Sequence, residues 1–192
     1  MKKLLITVCL VLLVSCSEEV NNKPLIEDSI KQKTTLEGPV KTYFENGQLK
    51  FLFTYKDGIE NGVFESYYEN GNPFGQGTYE DGRRSGQWRG YYENGQLRSK
   101  RNYKNGDNHG PFEWYYENGE LEEKGTWKEG KRQGNFEYYF ENGQLWVVGN
   151  YENGVRNGTF WVYDENGKLE FKGILEEQQL TELEKKHKNW SF

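Results

Sequence analysis

Six glutamates, Glu45, Glu69, Glu93, Glu117, Glu141 and Glu165, recur at intervals of 24 residues. On stacked hairpins, neighbouring copies would stand ~9.6 Å apart, two strand spacings. Inverting glycosidases separate their carboxyl pair by ~6.5–9.5 Å. The spacing treats every copy alike, so it designates no acid and no base, and solvated charges beside turns account for the ladder without catalysis. The two histidines, His109 and His187, lie far apart, and both cysteines, Cys9 and Cys16, fall near the N-terminus. No metal-ligand spacing results, and neither a nucleophile elbow nor a phosphate-binding loop is present. The expectation is a protein without catalytic residues, metal or cofactor.

Binding is the chemistry the repeated side chains do suit. Tyr43, Tyr67, Tyr91, Tyr115, Tyr139 and Tyr163 also recur every 24 residues, and Trp146 and Trp161 join them towards the C-terminus. A rigid ring with a polar tip is a common contact residue. Tyr91, Tyr115, Tyr139, Trp146, Trp161 and Tyr163 are therefore the candidate surface for a partner protein or a glycan. The alternative is that the tyrosines brace neighbouring strands by cross-strand packing.

Composition limits the scaffold that could carry such a surface. The 192 residues are 29% charged and 34% hydrophobic, figures that fit a disordered chain, yet 16% are aromatic. Disordered chains are poor in aromatics. The sequence has 23 glycines and no alanine, which argues against a helical bundle. A formal charge of -5 leaves no cationic surface for nucleic acid. Cysteines confined to positions 9 and 16 cannot form a disulfide framework for the body of the protein.

The N-terminus reads as an address. Lys2 and Lys3 precede an apolar run over residues 4–14, too short to span a bilayer but suited to a signal-peptide core. Leu13-Val14-Ser15-Cys16 resembles a bacterial lipobox. The resemblance implies a signal peptide over 1–15, cleavage before Cys16, and acylation of Cys16 by two or more chains, which anchor stably. Ser17-Glu18-Glu19 resembles the acidic export signal of some surface lipoproteins. Residues 16–37 are polar and read as the lipidated cysteine and a flexible tether. The implied location is the bacterial cell envelope, lipid-anchored, on the periplasmic or the exposed side of an outer membrane.

From Gly38 onward the chain repeats. Glu-Asn-Gly recurs with its glycine at 47, 71, 95, 119, 143 and 167; a second glycine recurs at 38, 62, 86, 110, 134 and 158, and a third at 58, 82, 106, 130 and 154. Such a period signals a repeat array. Asn-Gly favours a two-residue type I′ hairpin turn. A turn at Asn142-Gly143 predicts pairs Phe140–Leu145, Tyr138–Val147, Phe136–Gly149 and Gly134–Tyr151 on one aromatic face. The other face is polar and includes Tyr139, Trp146 and Trp161. Hydrogen-bond alternation in a meander then predicts a six-residue connection over 152–157. Buried rings stabilise by roughly 1.5–3 kcal/mol each, and stacked hairpins share one core that a single hairpin lacks. The sheet is expected to curl around its aromatic face.

Three departures stand out. Pro73 replaces a recurrent leucine and predicts irregularity over 72–76; Phe53 and Arg101 replace the mid-strand glycine; and the pattern drifts after Leu175. Leu180, Leu183 and the Glu182/Lys186 pair predict a short capping helix over 176–192.

Gly125-Thr126-Trp127-Lys128-Glu129-Gly130 with Gly134, and Gly149-Asn150-Tyr151 with Gly154 and Gly158, resemble the MORN repeat; the added Tyr-Tyr-Glu-Asn-Gly run resembles its bacterial variant, which includes proteins named as YwqK-type antitoxins. The resemblance spans residues 38–175 and implies an all-β fold, an elongated single-layer antiparallel meander of six stacked 24-residue hairpins. It also implies a scaffold for protein contacts, sometimes proposed to touch lipid, and supplies no site residue. The expected function is thus a lipid-anchored extracytoplasmic scaffold that binds a macromolecule without chemistry. The alternatives are an antitoxin or immunity-like protein that binds a toxin, and a surface glycan-binding module. Exposed edge strands also permit a homodimer.

Overall fold

The computed structural model describes residues 35–175. The signal segment, the lipobox Cys16, nearly all of the tether and the expected helix over 176–192 lie outside the described residues. The described chain is all β: 14 antiparallel strands in one sheet, in sequential order. They are β1 (Gly38–Tyr43), β2 (Leu49–Lys56), β3 (Ile59–Tyr67), β4 (Pro73–Glu80), β5 (Arg83–Tyr91), β6 (Leu97–Lys104) and β7 (Asp107–Asn108), followed by β8 (Gly110–Tyr115), β9 (Leu121–Lys128), β10 (Lys131–Arg132), β11 (Gly134–Tyr139), β12 (Leu145–Glu152), β13 (Val155–Tyr163) and β14 (Leu169–Gly173). The short β7 and β10 pair beside the main path, with β6 and β9.

The predicted pairs Phe136–Gly149, Tyr138–Val147 and Gly134–Tyr151 all form. Both turns differ from expectation, and the type I′ turn lies at the other connection. At Glu141-Asn142-Gly143 the loop has three residues: Phe140 N donates to Gln144 O at 2.8 Å and Gly143 N to Phe140 O at 2.8 Å. Of the Asn-Gly pair only Gly143 has a positive φ, 82°, the mark of a type I turn closed by a bulge glycine. The asparagine side chain fixes this choice. Asn142 Oδ1 accepts from Gln144 N at 2.9 Å, while Nδ2 donates to Glu165 O of the next repeat at 3.2 Å. Asn46, Asn70, Asn94 and Asn118 likewise donate to Glu69, Glu93, Glu117 and Glu141.

The six-residue connection over 152–157 does not form. Asn153 and Gly154 take φ of 53° and 88°, a two-residue type I′ turn with Glu152 opposite Val155. Pairing parity is restored by a bulge. Between Val148 and Asn150, two steps on β12 answer four on β13, from Asn157 to Trp161. Gly158, at φ 78°, carries the bend. Each tight turn also reaches the previous repeat; for example, Gly154 N donates to Arg132 O at 2.9 Å.

A second bulge, between Tyr138 and Tyr139, changes the two faces. Leu145 stands opposite Tyr139, and Trp146 is the extra residue. A one-residue slip sends side chains to the other face. The leucine row therefore joins the tyrosine ladder, not the aromatic face: Leu49, Leu97, Leu121, Leu145 and Leu169 oppose Tyr43, Tyr91, Tyr115, Tyr139 and Tyr163. The row of Phe74, Arg98 and Trp146 moves the opposite way. Phe74 meets Tyr68 at 5.2 Å and Trp146 meets Phe140 at 5.8 Å between ring centroids. Pro73 causes no irregularity. It is the first residue of β4, opposite Tyr67 as the leucines are, a position where a strand tolerates the missing donor.

On the aromatic face, Phe53, Phe64, Trp88 and Tyr103 contact in series at 4.8, 5.2 and 6.0 Å. The series resumes with Phe112, Phe136, Tyr151 and Phe160 at 5.5, 4.7 and 5.9 Å. Arg101 occupies the gap. The C-terminal half is the better buried: Phe112, Phe136, Tyr138, Val147, Phe160 and Val162 form its core with Leu175. In the N-terminal half Phe51, Phe53, Tyr55, Phe64 and Tyr79 are only half-buried and Phe74 is exposed.

Candidate functional site

The polar face holds the tyrosine ladder in a recurring trio. Tyr115 donates to Glu113 at 2.5 Å, Lys100 Nζ meets Glu113 at 2.8 Å, and Lys100 Nζ donates to Tyr115 Oη at 3.0 Å. One repeat on, Tyr139 donates to Glu137, Lys124 pairs with Glu137 at 2.8 Å, and the Lys124 ammonium sits 5.5 Å from the Tyr139 ring centre. Tyr91 donates instead to Gln76 at 3.3 Å. Alternation explains the assembly. The glutamate lies two residues before its tyrosine on one strand, and the lysine lies across on the preceding strand. The bond from Lys100, then that from Tyr115, holds Glu113 below its ordinary value. Burial works to raise Glu137, but Lys124 and Tyr139 outweigh it and lower it. Burial and then the Glu113 bond push Tyr115 up. These are phenols bonded to paired charges that link neighbouring strands.

Trp161 is half-buried on this face, between Val148 and Lys172, whose ammonium stands 5.8 Å from the ring centre. Tyr163 is half-buried at the end of β13. Trp146 does not join them: it is 2% exposed, within the aromatic core. The bulge that makes it the extra residue carries it across the sheet. The structure thus places Tyr91, Tyr115, Tyr139, Trp161 and Tyr163 on one face and separates Trp146 from them. The Glu45–Glu165 ladder sits in the exposed turns, where five of the glutamates, Glu69 to Glu165, offer backbone carbonyls to asparagine. Among the described residues no group of three or more His, Cys, Asp or Glu could hold a metal.

The aromatic face carries arginines to which the sequence reading gave no role. Arg132 Nη1 donates to Tyr138 at 2.6 Å and Tyr151 at 3.3 Å, and Nη2 pairs with Glu123 at 3.2 Å. Its guanidinium also lies 5.2 Å from the Phe136 and Tyr151 ring centres. Burial pushes Glu123 up, with Arg132 opposing. Arg84, Arg98 and Arg101 lie on the same face nearer the N-terminus. The available signal was phase: Arg101 stands where Gly77, Gly125, Gly149 and Gly173 stand in other repeats.

No curated protein matches the chain. Among solved structures, one similar chain is from "Glycosylation Associate Protein (Gap123) complex from Streptococcus agalactiae", 17% identical over 83% of this chain and 26% of that one, with a TM-score of 0.35. Another is from "Crystal structure of GtfA/B complex bound to UDP and GlcNAc", 16% identical over 78% and 27%, with a TM-score of 0.23. This chain spans about a quarter of the length of each. The family model described as "MORN repeat variant" matches residues 36–57, 60–81, 84–105, 108–129, 132–153 and 156–176. Six consecutive matches coincide with the six hairpins and their turns, and the chain belongs to the MORN repeat variant family.

Proposed function

We propose that this protein is a lipid-anchored extracytoplasmic scaffold that binds another protein and performs no chemistry on it. MORN repeats are scaffolding units for protein or membrane contact, and the lipobox-like segment ending at Cys16 supports anchoring. The observation that carries the reading is the asymmetry of the aromatic face. Phe112, Phe136, Tyr138, Tyr151 and Phe160 are buried, whereas the rings over β2–β4 are half-buried and Phe74 is 42% exposed. Half-buried rings gathered on one face support the contact reading. The bacterial cell envelope is the proposed location.

Cross-linked affinity capture from native membranes tests the reading. The expected result is one dominant protein partner, with Cys16→Ser releasing the chain from the membrane. Recovery of no protein from cross-linked membranes would sink it. Recovery of a toxin would specify the antitoxin-like form of the same binding. Retention on peptidoglycan or another insoluble polysaccharide, lost on Trp161→Ser, would favour the glycan-binding form, for which the Tyr139–Trp161–Tyr163 strip is the available surface.

A further inference from the structure

We infer that the aromatic face over β4–β6 is a binding site for a carboxylate side chain of an acidic protein segment, held by Arg84, Arg98 and Arg101. The inference rests on the protein-binding reading above and adds the chemistry of the ligand.

The array supplies its own comparison. Around Arg132, an arginine caged by rings receives a carboxylate from Glu123, at 3.2 Å. Two repeats earlier the same two slots hold Arg84 and Gly75. Arg84 has the cage: its guanidinium lies 4.7 Å from the Trp88 ring centre and 5.4 Å from that of Tyr103, to whose hydroxyl it donates at 3.2 Å. Where Glu123 would supply the carboxylate, there is bare glycine.

Two further guanidinium groups, those of Arg98 and Arg101, lie near Arg84 on the same face. Arg101, from β6, stands 5.6 Å from the Tyr103 ring centre and 5.1 Å from that of Trp114. Arg84 and Arg101 therefore face one tyrosine. Arg98 crosses Gly90, its Nη2 3.5 Å from where a Cβ at that glycine would stand, and Ser99 Oγ lies 2.9 Å from the same point. Arg98 Nε, Arg101 Nε and Ser99 Oγ are buried without a hydrogen-bond partner. None of the three arginines forms an ion pair among the described residues. Burial first, and then Arg84 and Arg98, lower the Arg101 pKa, with only Tyr103 opposing.

Three neighbouring cations, two of them with a donor lacking a partner, suit a planar anion that accepts two parallel bonds. A carboxylate is favoured because the array itself seats one, Glu123, on the equivalent floor. Trp114, half-buried beside Arg101, is the ring available to the methylenes of a glutamate. The whole chain carries -5, so long-range forces repel an acidic partner and the contact depends on this patch.

The test is fluorescence anisotropy of the full chain against a labelled decaglutamate peptide. Saturable binding is expected, weakened at least tenfold by Arg101→Gly and by Arg84→Gln, and unchanged by Lys128→Gln at the exposed end of β9. Arg101→Gly installs the residue found in other repeats, so its melting transition should hold. Absence of binding, or binding that neither arginine variant changes, overturns the inference. So does binding to phosphatidylglycerol vesicles or polygalacturonate without binding to the peptide. If an Arg84→Gln/Arg101→Gly chain still captures its partner from membranes, the scaffold reading stands and the carboxylate site falls.

Discussion

Phe160 lies flat against Gly149: a Cβ placed on that glycine would stand 2.1 Å from Phe160 Cδ1 and 2.2 Å from Cε1. The same contact recurs between Gly77 and Trp88, at 2.2 Å. Bare backbone under a ring lets a one-layer sheet bury aromatics, since Phe160 is 1% exposed. Gly149→Ala must displace the ring and is expected to cost about 1–3 kcal/mol, read as a lowered urea midpoint. Gly149→Ala combined with Phe160→Val should recover part of the loss, because neighbouring changes couple. Simple additivity of the two would disprove the contact.

Stacking along the array depends on the turn asparagines. Asn118 Oδ1 accepts from Glu120 N at 2.8 Å, and Nδ2 donates to Glu141 O of the next repeat at 2.9 Å. Asn118→Asp keeps the acceptor and removes the donor, so it isolates the bond between repeats. The expected loss is about 1 kcal/mol, with local amide exchange accelerated at both turns. Unchanged exchange at residues 141–143 would show that the bond does not couple the repeats.

The period of 24, the pairs Phe136–Gly149 and Tyr138–Val147, and the aromatic rows were legible because spacing within one chain records them. The turn types were not. Asn-Gly allows either turn, and the form taken at Asn142 is accompanied by a bond to Glu165, a residue of the next repeat. The bulge at Trp146 was hidden for a related reason: strict alternation has no place for an extra residue, and one slip exchanged the leucine row with the row of Phe74, Arg98 and Trp146. That exchange also concealed the arginine cluster, since strict alternation puts Arg98, in phase with Trp146, on the polar face.

The charged trios make stability depend on pH with a definite sign. Glu137 titrates below its ordinary 4.5 in the folded chain. Its contribution is present in full above 4.5 and is lost as pH falls through the folded value. Lys124, raised above 10.5 by its bonds to Glu137 and then Tyr139, contributes up to alkaline pH and loses its share as pH rises through its folded value. Glu137→Gln should cost no more than about 1 kcal/mol at neutral pH after solvent screening. The gap between wild type and variant should close below 4.5. A gap that widens in acid would reverse the assignment. Glu123 has the opposite sign: burial raises it, so its charge weighs against folding above that raised value.

Trp146 and Trp161 separate core from surface within one hairpin pair. Trp146, 2% exposed and tilted against Phe140, belongs to the core. Trp146→Ser should therefore destabilise by about 3–5 kcal/mol, the usual cost of removing a large buried ring, and any accompanying loss of binding would follow from unfolding. Trp161 is half-buried under Lys172 on the polar face, and Trp161→Ser should shift the melting midpoint only slightly. Paired with Tyr163→Ser, it tests the polar strip without disturbing the aromatic face. Circular dichroism melts of the two tryptophan variants decide the matter. Equal destabilisation would mean that Trp161 is also a core residue and that the polar face presents no aromatic contact strip.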